Sequence, residues 1–290
     1  MTWQLLLSAC VSGALYAVIA LSLNLIYGTM RLLDVAHGEF VMVGAFAGYF
    51  LVTLLGVPPV LALLGAFALN GLAGLVLYQW LFAGIIRRAR STESLESTSL
   101  LVFFGLSVIL QNGAALAFGG TPRAYERYAR IVHVGGVAIT GNRLVAMAAC
   151  VLAVVAVLVF FARSTWGLAI RALIANRDAA AIVGIDTQAA FRLTCVLGFG
   201  LAGYAGAVIG LMQPVSPFMG GQYLMIGFVI IVLGGVGKLV GSVVGGVLIA
   251  LLETVGTQLT GPNYRDILIY GTFIAVLLLR PQGIFGRHAA

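Results

Sequence analysis

Apolar stretches near 5–27, 39–56, 59–84, 98–118, 143–162, 191–212, 222–236, 240–259 and 265–280 alternate with short connections that hold most of the Arg, Gly and Pro. A run of about 20 residues crosses a hydrocarbon core near 30 Å thick at about 1.5 Å rise per residue. In that solvent each backbone amide needs a partner within its own segment or in a closed sheet, and runs without two-residue alternation choose helices. The pattern predicts an all-α, polytopic transmembrane helix bundle, one membrane domain over residues 1–290. Re-entrant or broken segments leave a range of eight to nine crossings. Pro58 and Pro59 force a tight reversal between the second and third stretches, because proline cannot continue the helical ladder. The first stretch lacks a basic region ahead of it and is long enough to span, so it is expected to be a membrane helix and not a cleaved leader.

Composition sharpens this. Of 290 residues, 61% are hydrophobic and only 9% charged, against about 25% charged in soluble domains. The net charge of +7 comes from cations scattered through the connections, so it points to membrane topology and the lipid bilayer, with no nucleic acid as partner. With the N-terminus outside, the inner connections receive Arg31, Arg87, Arg88, Arg90, Arg163, Arg171, Arg177, Arg192, Lys238, Arg280 and Arg287, and the outer ones Arg123, Arg127, Arg130, Arg143 and Arg265. Eleven against five favours an outer N-terminus and a cytoplasmic C-terminus. The connection 119–142 is then an external loop despite Arg123, Arg127 and Arg130. Cys10, Cys150 and Cys195 sit alone in apolar runs and suggest neither a disulfide frame nor a metal site.

The stretch "VLGGVGKLVGSVVGG", 232–246, offers a Gly-Lys pair. A phosphate-binding loop would need glycine at 232 and a hydroxyl at 239, and Val232 and Leu239 stand there. Its glycines instead fit a packing and turning element: Gly237, Gly241 and Gly245 repeat at four-residue spacing, and Gly234, Gly235 and Gly237 can break a helix near a translocation pathway. Lys238 is expected at the inner interface, since an ammonium at the bilayer centre costs about 2.5–3.5 kcal/mol.

Polar residues in or beside the spans are the candidate chemistry. "RLLDVAHGEFVMVGAF", 31–46, collects Asp34, His37 and Glu39, with a helix break expected at Gly38. His37 and Glu39 point about 200° apart on a helix, and only Asp34 and His37 share a face, which argues against a metal site. Asn24, Asn70, Gln111, Asn112 and Glu253 are each either interhelical hydrogen-bonding groups or part of a substrate path. For catalysis the sequence offers neither a Ser-His-Asp order nor paired carboxylates.

The inner connection 163–192 places Ile170, Leu173 and Ile174 at i, i+3, i+4 between Arg171, Arg177 and Asp178. It predicts a short amphipathic helix that Gly184 ends and, after it, Asp186 capping the next span. One turn of three bulky apolar residues suits docking to a partner better than lipid anchoring.

"LSLNLIYG" (21–28), "AHGEF" (36–40), "GLSVILQN" (105–112), "RALIANRDAAAIVGID" (171–186), "GLAGYAGAVIG" (200–210), "VLGGVGKLVGSVVGG" (232–246) and "RPQGIFG" (280–286) occur in one order across nearly the whole chain. Together they resemble the permease subunits of branched-chain amino acid ABC importers. The family usually has Asn at position 34 and a small residue or Ser at 238, where this chain has Asp34 and Lys238. The resemblance implies a non-enzymatic subunit of a bacterial inner membrane, paired with a second related permease, two cytoplasmic ATPase subunits and an external solute-binding protein. It also implies that ATP and Mg²⁺ reside on the partners, with no cofactor or metal on this chain, and that the ATPase docks on 171–186. Substrate would pass Asn24, His37, Glu39, Gln111, Asn112 and Glu253; Arg171, Arg177, Asp178, Gly184 and Asp186 would couple to the ATPase. The rival from another class is a self-sufficient secondary transporter or channel for small solutes such as urea or amides, with Asp34 or Glu253 as its ion site.

Overall fold

The computed structural model describes residues 2–89, 91–125, 127–128, 130–134, 137–279 and 283–284. Arg90, Arg280 and Arg287, with most of the 280–286 motif, lie outside the described residues. The chain runs α1 (Thr2–Met30), α2 (His37–Thr53), α3 (Pro59–Leu77), α4 (Ala83–Arg88), α5 (Thr92–Phe118), β1 (Ile131–Val134), β2 (Val137–Thr140), α6 (Gly141–Arg163), α7 (Thr165–Ala175), α8 (Arg177–Ile182), α9 (Thr187–Met212), α10 (Gly220–Gly234), α11 (Leu239–Thr260) and α12 (Arg265–Leu279). A π-turn, Tyr78–Phe82, joins α3 to α4 so that both form one 30-residue apolar rod, Pro59–Arg88. Six helices, counting that rod as one, are long and apolar enough to span a bilayer. The one sheet among the described residues is the antiparallel β1–β2 hairpin in the connection 119–142.

Helix boundaries follow local chemistry. The Ser91 hydroxyl accepts from Ser94 N–H at the start of α5, Ser164 from Gly167 at α7, and Asn176 from Ala179 at α8. Each cap satisfies an amide that the first helical turn leaves without a partner. The single amphipathic helix expected after residue 163 is therefore two, because Asn176 is extended and starts a new helix. Gly184 has φ +86°, and the Asp186 carboxylate accepts from Ala189 N–H at 2.9 Å to open α9.

The core is α9, whose second half is buried on all sides, flanked by α1, α2 and α3. Gly44 of α2 packs on Gly203 and Gly48 on Ala207, so α2 and α9 run parallel. His37, the first residue of α2, sits beside Phe199, midway along α9. The helix thus starts inside the bundle, after an irregular, non-helical stretch at 31–36. Gly38 is not the break. It lies in the first turn, in close backbone contact with Gly220, the first residue of α10. From there α10 runs alongside α1, with Gly227 beside Ile19 and Leu23, and the turn after it puts Gly237 beside Gly28. At 17 and 15 residues, α2 and α10 are about 25 and 22 Å long. They are broken spans whose N-termini abut in the interior and whose C-termini point to opposite ends. Irregular backbone at such depth is tolerated when protein surrounds it.

Candidate functional site

Two polar clusters meet at this junction. The Ser22 hydroxyl donates to the Ile19 carbonyl at 2.7 Å, which uses its only hydrogen. His37 Nε2, 2.8 Å away, is therefore the donor to Ser22 Oγ. His37 Nδ1 and Asp34 Oδ2 share a further hydrogen at 3.0 Å. No Ser-His-Asp order stands out along the chain, yet the fold joins these three. It is not a nucleophilic triad: the serine hydrogen points away from the imidazole, and all three residues are fully buried. The cluster ties α1, the irregular entry and α2 together. No group of three or more metal-ligating residues occurs among the described residues.

Glu39, in the first turn of α2, accepts from the Ser107 hydroxyl of α5 at 3.4 Å, and its carboxyl lies against Gly220. A carboxylate between two helix N-termini is favourably placed for both dipoles. Its second oxygen, like Asp34 Oδ1, is buried without a hydrogen-bond partner among the described residues.

Asn24 has a different task. Its Oδ1 accepts from Gly237 N–H at 2.7 Å, while Nδ2 donates to Ser242 Oγ at 2.7 Å and to the Lys238 carbonyl at 3.2 Å. It pins the turn between α10 and α11, where Gly235 and Gly237 have φ +89° and +75°, values that favour glycine. Gly234 and Gly241 then meet backbone to backbone, and Gly245 packs on Ile230. Gln111 is half-buried and Asn112 exposed, the latter donating to Val108 of its own helix. The α5 helix buries little besides Leu95, Ser99, Phe103 and Ala114, so both amides lie away from the core of this chain.

Glu253, one of the residues of the expected path, lines a cavity. It accepts from Tyr16 Oη at 2.6 Å and from Arg265 Nε, and Arg265 also donates to Tyr16 at 2.9 Å. These groups border a cavity of about 210 Å³ with Arg143, Gln213, Gln222 and Tyr223, at the end of the bundle that carries the hairpin. Neither Tyr16 nor Arg265 was singled out as a site residue from sequence; a tyrosine in the middle of an apolar helix was the available signal. Arg265→Ala leaves Glu253 with one partner in a half-buried place, and we expect it to cost about 1–2 kcal/mol, below the 3–5 typical of a fully buried pair. Thermal unfolding in detergent reads this, and adding Glu253→Gln should restore part of the loss, as a coupled pair requires.

At the other end, Ile170 and Leu173 are buried, so the apolar stripe of α7 anchors the elbow to the bundle and is not free for a partner. What projects is the tip: Ile182 and Val183 are 85% and 76% exposed, beside Gly184. Arg177, Asp178 and Asp186 are exposed in the segments flanking it and Arg171 is exposed on α7, with the Arg177 guanidinium 4.9 Å from the Phe191 ring.

Apolar helices that span, two broken spans meeting inside and a polar cleft at one end define a multi-pass membrane protein of transporter type. The chain belongs to the family described as branched-chain amino acid transport system / permease component, whose model matches residues 5–277. It is 28% identical over 286 residues to the high-affinity branched-chain amino acid transport system permease protein LivH of Escherichia coli K12, covering 95% of this chain and 92% of that one. It is 30% identical over 295 residues to the corresponding protein BraD of Pseudomonas aeruginosa, covering 98% and 95%.

Proposed function

We propose that this chain is the membrane-spanning permease subunit of an ATP-binding cassette importer for branched-chain or related small amino acids. The match to the permease family over residues 5–277 carries the reading. Its partners are a second related permease, an external solute-binding protein and two cytoplasmic ATPase subunits that hold ATP and Mg²⁺. The charge distribution supports the hairpin end outside and the α7–α8 elbow in the cytoplasm of a bacterial inner membrane.

In this cycle the binding protein delivers substrate at the hairpin end, where the cleft bordered by Arg143, Glu253 and Arg265 presents both signs of charge to a zwitterion. ATP-driven closure of the ATPase pair pushes on the exposed Ile182–Gly184 tip. The push reaches α9 directly through the short 184–186 link and the Asp186 cap. The abutting half-helices α2 and α10 are the element that rearranges, and α5, with Gln111 and Asn112, faces the second permease. The carboxylates that an independent ion-driven carrier was expected to use are engaged, Asp34 with His37 and Glu253 with Arg265.

Reconstitution tests this. Uptake into proteoliposomes should require the ATPase subunits, ATP and the binding protein; uptake by this chain alone would refute the importer reading. Gly184→Ala places a side chain at φ +86° with open space around it, so it acts through backbone conformation. At a cost of about 1–2 kcal/mol, substrate-stimulated ATP hydrolysis by the reconstituted complex should fall about fivefold or more. The amount of inserted protein should be unchanged, and unaltered hydrolysis would remove the tip from the coupling path.

A further inference from the structure

At the elbow end, the termini of α1 and α6, the α7 helix and the α10–α11 turn enclose a cleft of about 1000 Å³. Leu158, Phe161, Ile174, Val236, Leu239 and Val240 give it apolar walls. Arg31, Arg171 and Lys238 also line it, and its described lining includes no carboxylate. Each cation hangs on a separately fixed piece of backbone. Lys238 follows the turn that Asn24 pins, and Arg171 rides on the anchored α7. Arg31 occupies the left-handed position after α1, φ +56°, with its N–H on the Tyr27 carbonyl at 2.9 Å. Glycine is the usual residue there, and any other costs about 1–2 kcal/mol. The chain keeps a guanidinium at a strained position that opens onto this cleft.

We propose that the cleft binds the phosphate headgroup of an anionic phospholipid, with its acyl chains along the apolar walls. Three like charges on one cleft repel each other until an anion joins them. A phosphate ion alone would leave most of the cavity unfilled and make no use of its walls. The walls continue onto side chains exposed along the neighbouring helices, Val155 and Val159 of α6 and Val240 and Val247 of α11. An amphiphile matches both parts at once, whereas an acidic protein segment matches only the cations. Basic pockets between membrane helices at headgroup depth attract anionic lipid, at about 1 kcal/mol per cation near the surface. The proposal does not depend on which end faces the cytoplasm.

The test uses the full chain in nanodiscs of phosphatidylcholine doped with phosphatidylglycerol or cardiolipin, with retained lipid counted by native mass spectrometry. The wild type should retain anionic lipid in preference to phosphatidylcholine. The triple variant R31Q/R171Q/K238Q should lose that preference by about tenfold or more. K238Q alone, at an exposed side chain, should lose about fivefold, and it keeps the test valid if the triple variant folds poorly. The control R87Q/R192Q removes two cations lining a different pocket at the same end and should match wild type. Equal retention in wild type, K238Q and the triple variant overturns the proposal, as does equal loss in the control. Displacement of the lipid by millimolar inorganic phosphate would assign the cleft to a free anion. Loss of ATPase binding in the triple variant with lipid retention intact would assign the cations to a protein partner. Either result sinks the lipid site.

Discussion

Gly206→Ala is expected to abolish recovery of folded protein. A methyl group at this position of α9 would overlap the carbonyl oxygen of Val41 and lie 2.7 Å from the amide nitrogen of Ala45, both on α2. The obstructing atoms are backbone, so no rotamer change can relieve the clash; the helix must move. Overpacking that side chains can absorb costs about 1–3 kcal/mol, and a rigid backbone collision exceeds it. A loss above about 3 kcal/mol lowers the ratio of folded to unfolded protein more than a hundredfold. Because α2 also carries His37 and Glu39, its displacement would strip Ser22 and Ser107 of their partners. The readout is the monodisperse fraction after detergent extraction and size-exclusion chromatography. Gly84→Ala is the matched control: the space around Gly84 is open, and alanine in a helix gains about 0.5–1 kcal/mol over glycine. Recovery of Gly206→Ala at wild-type yield would show that α2 and α9 do not approach as described.

The contrast between these two glycines shows what the sequence can tell and what it cannot. Small residues four apart announce close helix packing, but not which helix is the neighbour or which glycine meets backbone. The helical class and the approximate spans were legible because hydropathy over 20 residues is a strong signal. Broken or re-entrant spans were expected, with stretches starting near 39 and 222, but that α2 and α10 are the two whose N-termini abut was not legible. In 31–36, Leu32, Leu33, Val35 and Ala36 continue the apolar pattern while the backbone is irregular, and composition cannot separate helix from irregular chain. For α10 a signal existed: Pro214 and Pro217 precede it within the extended stretch between α9 and α10. Proline excludes regular helix there, so the span had to begin late.

The polar residues divide in the same way. Asp34 and His37 were placed on one face by helix geometry, three residues apart, and they do bond. Ser22 completes their cluster from 15 residues away on another helix, which no local spacing announces. Arg265 was counted as a loop charge, although it pairs with Glu253 twelve residues earlier. Asn24 bonds chiefly to the 237–242 segment, 213 to 218 positions distant. Two of its three partners are backbone groups and leave no side-chain signature in the sequence.

Asn24→Leu should therefore act as a defect of the α10–α11 turn and not as a change in substrate preference. The side chain is fully buried, and leucine has similar volume but neither donor nor acceptor. Gly237 N–H would lose its partner, at about 1–3 kcal/mol for one buried unsatisfied group. Ser242 Oγ can still donate to the Lys238 carbonyl, a weaker contact at 3.4 Å, which partly offsets the remaining loss. The net destabilisation should be about 2–4 kcal/mol. Asn24→Asp separates the terms, since a carboxylate still accepts from Gly237 N–H but faces the Lys238 carbonyl with no hydrogen to donate. The expected order of thermal midpoints is wild type, then Asp, then Leu, provided the carboxyl group protonates and donates in its buried place. Raising the pH would deprotonate it and move Asp toward or below Leu. Wild-type stability in both variants, with altered selectivity among leucine, isoleucine and valine in reconstituted uptake, would return Asn24 to the substrate path. The energetic logic favours the turn: three hydrogen bonds already occupy the amide, leaving it little capacity to greet a passing solute.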